Sequence, residues 1–223
     1  MWENELMYYA IMNDYKSSLI PRYLHALVDD KKQVNDSWEY DASIHSYPEF
    51  IADPQCPESI YLLCRKDVGA LSFSYYKHGM GHIVSGDVSD VLMRLNTSGF
   101  YCKKMIATSI GSGDVLRDDF RYFYFVGDEG LIDLNASQIE EDKRGRKIPY
   151  NITFNDQAKN YDVFTIRETV LRGFLFVSSN VVSCFENIKG LKLVPLDKVL
   201  DNYCIDYGYD LAGNKKITKR KLP

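Results

Sequence analysis

The chain is poor in the residues that simple catalytic and metal sites require. It has only four histidines in 223 residues. Two of them, His78 and His82, have the i, i+4 spacing of a helical metal pair. They flank Gly79-Met80-Gly81, which favours a turn, and no glutamate follows His78 in the metalloprotease pattern. Five cysteines stand at 56, 64, 102, 184 and 204. Their odd count fits no disulfide framework, and the spacing of Cys56 and Cys64 is not that of a zinc ribbon. No run approaches the ~20 apolar residues of a membrane span. The start, Met1-Trp2-Glu3-Asn4-Glu5, lacks the basic and apolar regions of a secretory leader. These absences predict a cytoplasmic, reduced protein, in which the Asn-x-Ser/Thr sequons at Asn96, Asn135 and Asn151 are chance matches. Gly111-Ser112-Gly113 lacks the later glycine, lysine and hydroxyl of a phosphate loop, and there is no Gly-x-Ser-x-Gly elbow. The expectation is therefore no cofactor, no metal and no catalytic constellation.

An excess of positive charge is also missing. The formal net charge is −4, and no basic patch runs through the body of the chain, which disfavours nucleic acid as a partner. Basic residues gather only at Lys215, Lys216, Lys219, Arg220 and Lys221, in a tail over 213–223 expected to be mobile. The mild acidity suits a basic partner.

Aromatic residues are plentiful, with 17 tyrosines and 11 phenylalanines. They favour pleated, half-buried surfaces and, where exposed, protein interfaces. Two stretches share one pattern: Ile83-Val84-Ser85-Gly86-Asp87-Val88 and Phe176-Val177-Ser178-Ser179-Asn180-Val181. Each reads as a buried strand entering a helix. Apolar residues then recur at Val88, Val91, Leu92, Leu95 and at Val181, Cys184, Phe185, Ile188. Each helix is expected to stop at a glycine, Gly99 or Gly190, and a strand follows, through Phe100 and Cys102 or Leu191 and Leu193. Ser85 and Ser178 are expected to cap these helices, with ~1 kcal/mol lost on removing either cap. Cys102 and Cys184 fall on apolar faces as small hydrophobes. A hairpin precedes each copy: Leu71–Tyr75 with His82–Val84, and Val163–Ile166 with Leu171–Val177.

Elsewhere, Leu6–Met12 reads as a buried strand, and Pro21 opens a short helix through Tyr23, Leu24, Leu27 and Val28. A short strand is expected around Trp38–Tyr40, and Ile60–Leu63 reads as a strand or a helical turn. Phe120–Val126 is a β-forming run, residues 136–147 an exposed charged loop or frayed helix end, and Ile148–Phe154 a strand. The fold class is α+β: mixed or mostly antiparallel sheets with a few short helices, built from two related strand-turn-strand-helix-strand units. Residues 1–212 are expected to form one globular domain, or two lobes over 1–110 and 111–212.

The second unit, Phe176-Val177-Ser178 through Phe185, Ile188 and Gly190-Leu191-Lys192-Leu193-Val194-Pro195-Leu196, resembles the C-terminal signature of bacterial immunity proteins of polymorphic toxin systems. The upstream Asp162-Val163-Phe164-Thr165-Ile166, the earlier Val84-Ser85 through Leu95, and the start Met7-Tyr8-Tyr9 are similar as well. The resemblance implies an α+β fold and a protein that binds a cognate toxin, encoded beside it, and blocks its active site. It carries over no catalytic residue. The acidic and aromatic segments between the copies are the expected contact surface: Asp114, Asp118, Asp119, Arg121 and Tyr122, with Glu140, Glu141 and Asp142 behind them. Two other readings stand beside this one: an enzyme that reverses a toxin's modification of its target, and a nucleic-acid-associated module using the basic tail.

Overall fold

The computed structural model describes residues 6–39 and 49–214. In chain order the strands are β1 (Tyr8–Asn13), β2 (Ala26–Asp29), β3 (Ser59–Cys64), β4 (Tyr75–His78) and β5 (Gly81–Ser85), followed by helix α1 (Gly86–Arg94). Then come β6 (Phe100–Ser109), β7 (Val115–Phe125), β8 (Gln138–Glu141), β9 (Lys147–Asn151), β10 (Val163–Phe164), β11 (Leu175–Ser178) and β12 (Leu191–Pro195). Helices α2 (Val199–Tyr207) and α3 (Leu211–Asn214) complete the described chain. The fold is α+β, as the patterning predicts.

The strands form a six-stranded mixed sheet, β2-β3-β6-β7-β5-β4, a four-stranded antiparallel sheet, β10-β11-β1-β12, and the β8-β9 hairpin. Every strand of the larger sheet sends alternate residues into one core, including Val28, Leu62, Met105, Phe120, Ile83 and Tyr76. The sheet therefore curls around that core. The smaller sheet buries Ala10, Met12, Phe164 and Phe176 against Leu131, Ile132 and α2. Its other face, with Ile11, Leu175 and Val177, meets Tyr75, Val84, Phe123 and Phe125 of the larger sheet. Val88 and Leu92 of α1 and Phe185 fill the same layer.

The two sequence units occupy equivalent places in the two sheets. In the first, β4 and β5 pair, α1 crosses over, and β6 returns with β7 inserted between it and β5. In the second, β10 and β11 pair, a crossover follows, and β12 returns with β1 inserted between it and β11. Each inserted strand is antiparallel to both neighbours, so β5 runs parallel to β6 and β11 parallel to β12. Both are split strand-crossover-strand units.

The equivalence stops at the crossovers. The first is a nine-residue α-helix. The second contains only a 3-10 turn, Val182–Cys184, so the predicted second helix does not form. Paired β-branched valines and the Ser, Asn and Cys around them are weak helix formers, and Phe185 alone of the segment is deeply buried. Cys184 is exposed, not core. Ser178 ends a strand and caps nothing. Ser85 occupies the N-cap position of α1 with extended backbone, but its hydroxyl makes no capping bond. Helix α1 also ends at Arg94, before Gly99.

Other departures have local causes. The segment beginning at Pro21 is not helical, and β2 takes Leu27 and Val28. Leu71–Tyr75 is displaced from the sheet until Tyr75, because Arg117 Nη1 takes the Leu71 and Phe73 carbonyls at 2.6 and 2.7 Å. Residues 138–151 form the β8-β9 hairpin, not a charged loop. Trp38 and Glu39 form no strand; Tyr40 and the basic cluster from Lys215 onward lie outside the described residues. His78 and His82 sit on the two arms of the β4-β5 hairpin, with His78 facing Gly81 and Lys77 facing His82.

Burial keeps both of these rings neutral. It lowers the pKa of His78 to about 4 and that of His82 well below the usual imidazole value. Tyr75 shares a 2.9 Å hydrogen bond with His82 Nδ1. Below about pH 6.5 the unfolded chain binds protons that the folded chain refuses. This contribution to stability is therefore complete above about pH 6.5 and is lost as pH falls toward about 4. The expected result is a urea midpoint lower at pH 5 than at pH 7.5; equal midpoints would contradict it.

Candidate functional site

An open groove of about 1160 Å3 lies where the first and last strands of the smaller sheet end. β1 and β12 run antiparallel with Tyr9 opposite Pro195, while Tyr8 faces Ser178 of β11. Leu6–Tyr9 and Pro195–Asp197 thus lie side by side as one wall. Pro195 cannot donate to a further ladder bond, and the chain leaves the strand there through a 3-10 turn, Leu196–Lys198.

The opposite wall is Ile152–Asp156 with Asp133 and Lys159. After β9 the chain is held by Asp133 N–H donating to the Thr153 carbonyl and Asn155 N–H donating to the Leu131 carbonyl, at 2.8 and 2.9 Å. The Asn155 side chain then caps the 3-10 helix Asp156–Asn160 by accepting from Gln157 N–H. Ala158, fully buried, anchors this helix.

The floor is aromatic. Phe154 meets Tyr8, Phe164 and Phe176 edge-on, with ring centroids 5.0, 4.9 and 5.2 Å apart. Met7 is 60% exposed at its side. Tyr8 is buried, its hydroxyl has no partner, and burial raises its pKa. Three carboxylates line the groove. Asp133 Oδ1 accepts from the Asn135 and Ala136 backbone N–H groups and so is committed to its own turn. Asp156 pairs with Lys159 at 2.6 Å, both exposed. Asp197 is exposed in the 3-10 turn after Pro195.

None of the expected contact residues lines this groove. Asp114 sits exposed in the β6-β7 turn, accepting from the Ser112 hydroxyl at 2.6 Å. Asp118 and Asp119 are exposed on β7. Asp119 is held by the Arg117 guanidinium, which lowers its pKa. Arg121 is half-buried, with Nη1 donating to the Phe120 carbonyl. Tyr122 is a correction: it is fully buried in the curled-sheet core, its hydroxyl packed on Gly81, and presents nothing to a partner. Glu140 and Glu141 are exposed on β8, in a different sheet from the β7 residues.

Asp142 is a second correction, being 3% exposed. It accepts from the Arg144 and Arg146 backbone N–H groups, from Arg146 Nε and from the Tyr209 hydroxyl, all at 2.7 or 2.8 Å. Burial works against its charge, but these donors hold its pKa well below the carboxylate range. Its task is to close the hairpin and dock Tyr209.

The groove residues escaped sequence reading because Tyr8 and Tyr9 look like buried strand and Asp156 and Asp197 like ordinary surface. A signal was present nonetheless. Two stretches of the resemblance, Met7-Tyr8-Tyr9 and Val194-Pro195-Leu196, are distant in sequence and meet at this groove. Among the described residues no helix is long and apolar enough to cross a membrane, and no cluster of three or more His, Cys, Asp or Glu side chains could hold a metal ion. No curated protein matches the chain. The family model described as Immunity protein 43 matches residues 12–211, and this match over most of the length, with the α+β fold, means that the chain belongs to the Immunity protein 43 family.

Proposed function

We propose that this protein is a stoichiometric immunity protein of a polymorphic toxin system, which binds a cognate toxin in the cytoplasm and blocks its active site without itself being an enzyme. Family membership carries this reading. The negative net charge and the exposed carboxylates support it. A toxin that acts on nucleic acid presents a cationic cleft, and an acidic inhibitor complements such a cleft and speeds encounter. Asp114, Asp118, Asp119, Arg121, Glu140 and Glu141 serve as the steering surface in this proposal.

The test is co-expression with the polypeptide encoded by the adjacent gene. Cells are expected to survive, and the two proteins to copurify at one to one with a Kd of about 1 nM or tighter. Cell death without complex formation would overturn the reading. Full protection at well below one copy per toxin would favour the enzymatic alternative instead.

A further inference from the structure

The exposed acidic residues on β7 and β8 can attract a partner, but the recess that Glu140 and Glu141 line, about 10 Å3, does not hold one. The groove at the ends of β1 and β12 does. We propose that this groove takes an extended cationic segment of the toxin, with Lys or Arg side chains placed at Asp156 and Asp197 and an apolar side chain seated against Met7 and Phe154. The proposal rests on the immunity reading and names the contact that keeps the complex together.

Size is the first argument. Small-molecule pockets span about 300–1,000 Å3 and bury most of their ligand. This recess of about 1160 Å3 is open along its length of wall, so a polypeptide segment fills it where a metabolite would leave most of it wet.

Chemistry is the second. The groove sets a half-buried phenylalanine and an exposed methionine beside carboxylates. Three acidic groups meet two lysines, Lys159 paired with Asp156 at 2.6 Å and Lys198 3.6 Å from Asp197, and all four of these paired side chains are exposed and able to exchange partners. The net field in the groove is negative, which selects a cationic occupant. Methionine is adaptable and suits a binding surface.

The experiment uses the full chain and, as probe, the polypeptide encoded by the adjacent gene, with association and dissociation rates measured at low and moderate salt. The combined variant Met7→Ser, Asp156→Lys, Asp197→Lys is expected to weaken binding by about 100-fold, mainly through faster dissociation. The changed side chains are exposed, so its thermal midpoint is expected to match that of the wild type. By contrast, Asp118→Lys with Glu140→Lys is expected to slow association and leave dissociation unchanged.

A wild-type complex whose dissociation is untouched by the groove variant overturns the inference and leaves the immunity reading standing. No complex with the wild-type chain overturns both. If the wild-type chain self-associates and the groove variant does not, a second copy is the occupant and the inference fails. It fails equally if deleting residues 215–223 tightens binding in the wild type but not in the groove variant, because the chain's own basic tail is then the occupant.

Discussion

Phe123→Ala is expected to lower the unfolding free energy by about 4 kcal/mol. Phe123 lies near the end of β7, fully buried, opposite His82 of β5 and Cys102 of β6. Its ring centroid is 5.1 Å from that of Phe100 and 6.0 Å from that of Phe125. It belongs to the layer where the larger sheet meets the smaller sheet, α1 and Phe185. Truncation removes the transfer energy of the ring and leaves a cavity between two rigid sheets that cannot easily collapse. Phe123→Leu retains most of the volume and is expected to cost about 1 to 1.5 kcal/mol. Urea unfolding of the three proteins measures both. A loss under about 1 kcal/mol for the alanine variant would show that the sheets do not depend on this layer.

Gly190→Ala is expected to cost about 3 kcal/mol for a different reason. Gly190 has φ +93°, a conformation that side chains disfavour by about 1–2 kcal/mol. An added Cβ would also stand 2.7 Å from the Tyr75 carbonyl and 2.6 Å from Ile20 Cδ1. The backbone at this point is not free to move. Lys189 accepts from the Ser74 and Tyr75 N–H groups, and Gly190 accepts from Asp14 N–H. This turn therefore ties the end of β1 to the start of β4, and overpacking it adds about 1–3 kcal/mol. Gly99→Ala is the control. Gly99 has no atom within 4 Å of an added Cβ and no positive φ, so this change is expected to be neutral or stabilising by up to about 1 kcal/mol. Equal thermal midpoints for the Gly190 and Gly99 variants would refute the argument.

Strands with clear alternation or continuous apolar runs were legible in the sequence. β1, β5 and β6 fall where Leu6–Met12, His82–Val84 and the run through Phe100 and Cys102 place them, while β7 takes in Phe120–Phe125 but begins earlier, at Val115. The repeated pattern pointed to a true topological equivalence, but apolar spacing alone misjudged its second crossover. Val181, Cys184, Phe185 and Ile188 have helical spacing, yet only Phe185 is buried deeply enough to reward ordering. β4 shifted because a distant guanidinium, Arg117, took the carbonyls upstream of it, and no local pattern encodes such a partner.

The site was less legible than the fold. Reading acidic residues as surface was right for Asp114, Asp118, Asp119, Glu140 and Glu141, and failed for Asp142, whose donors include a tyrosine 67 positions away. Tyr122 was misplaced because strand alternation tells which residues share a face, not which face is buried. The groove depends on an encounter between the two ends of the chain, which spacing within either end does not reveal.

The insertion of β1 between β11 and β12 also sets a schedule. At ribosomal speeds of about 5–20 residues per second, Tyr9 waits roughly 10–40 s before Pro195, its partner in the ladder, has been made. Until then β1 lacks at least one of its two neighbours, and one wall of the groove is incomplete. The larger sheet draws its strands from residues 26–125 and can assemble earlier. In the function proposed above, a cell exposed to toxin would rely on the stock of finished chains it already holds, since a chain still on the ribosome has yet to complete that wall.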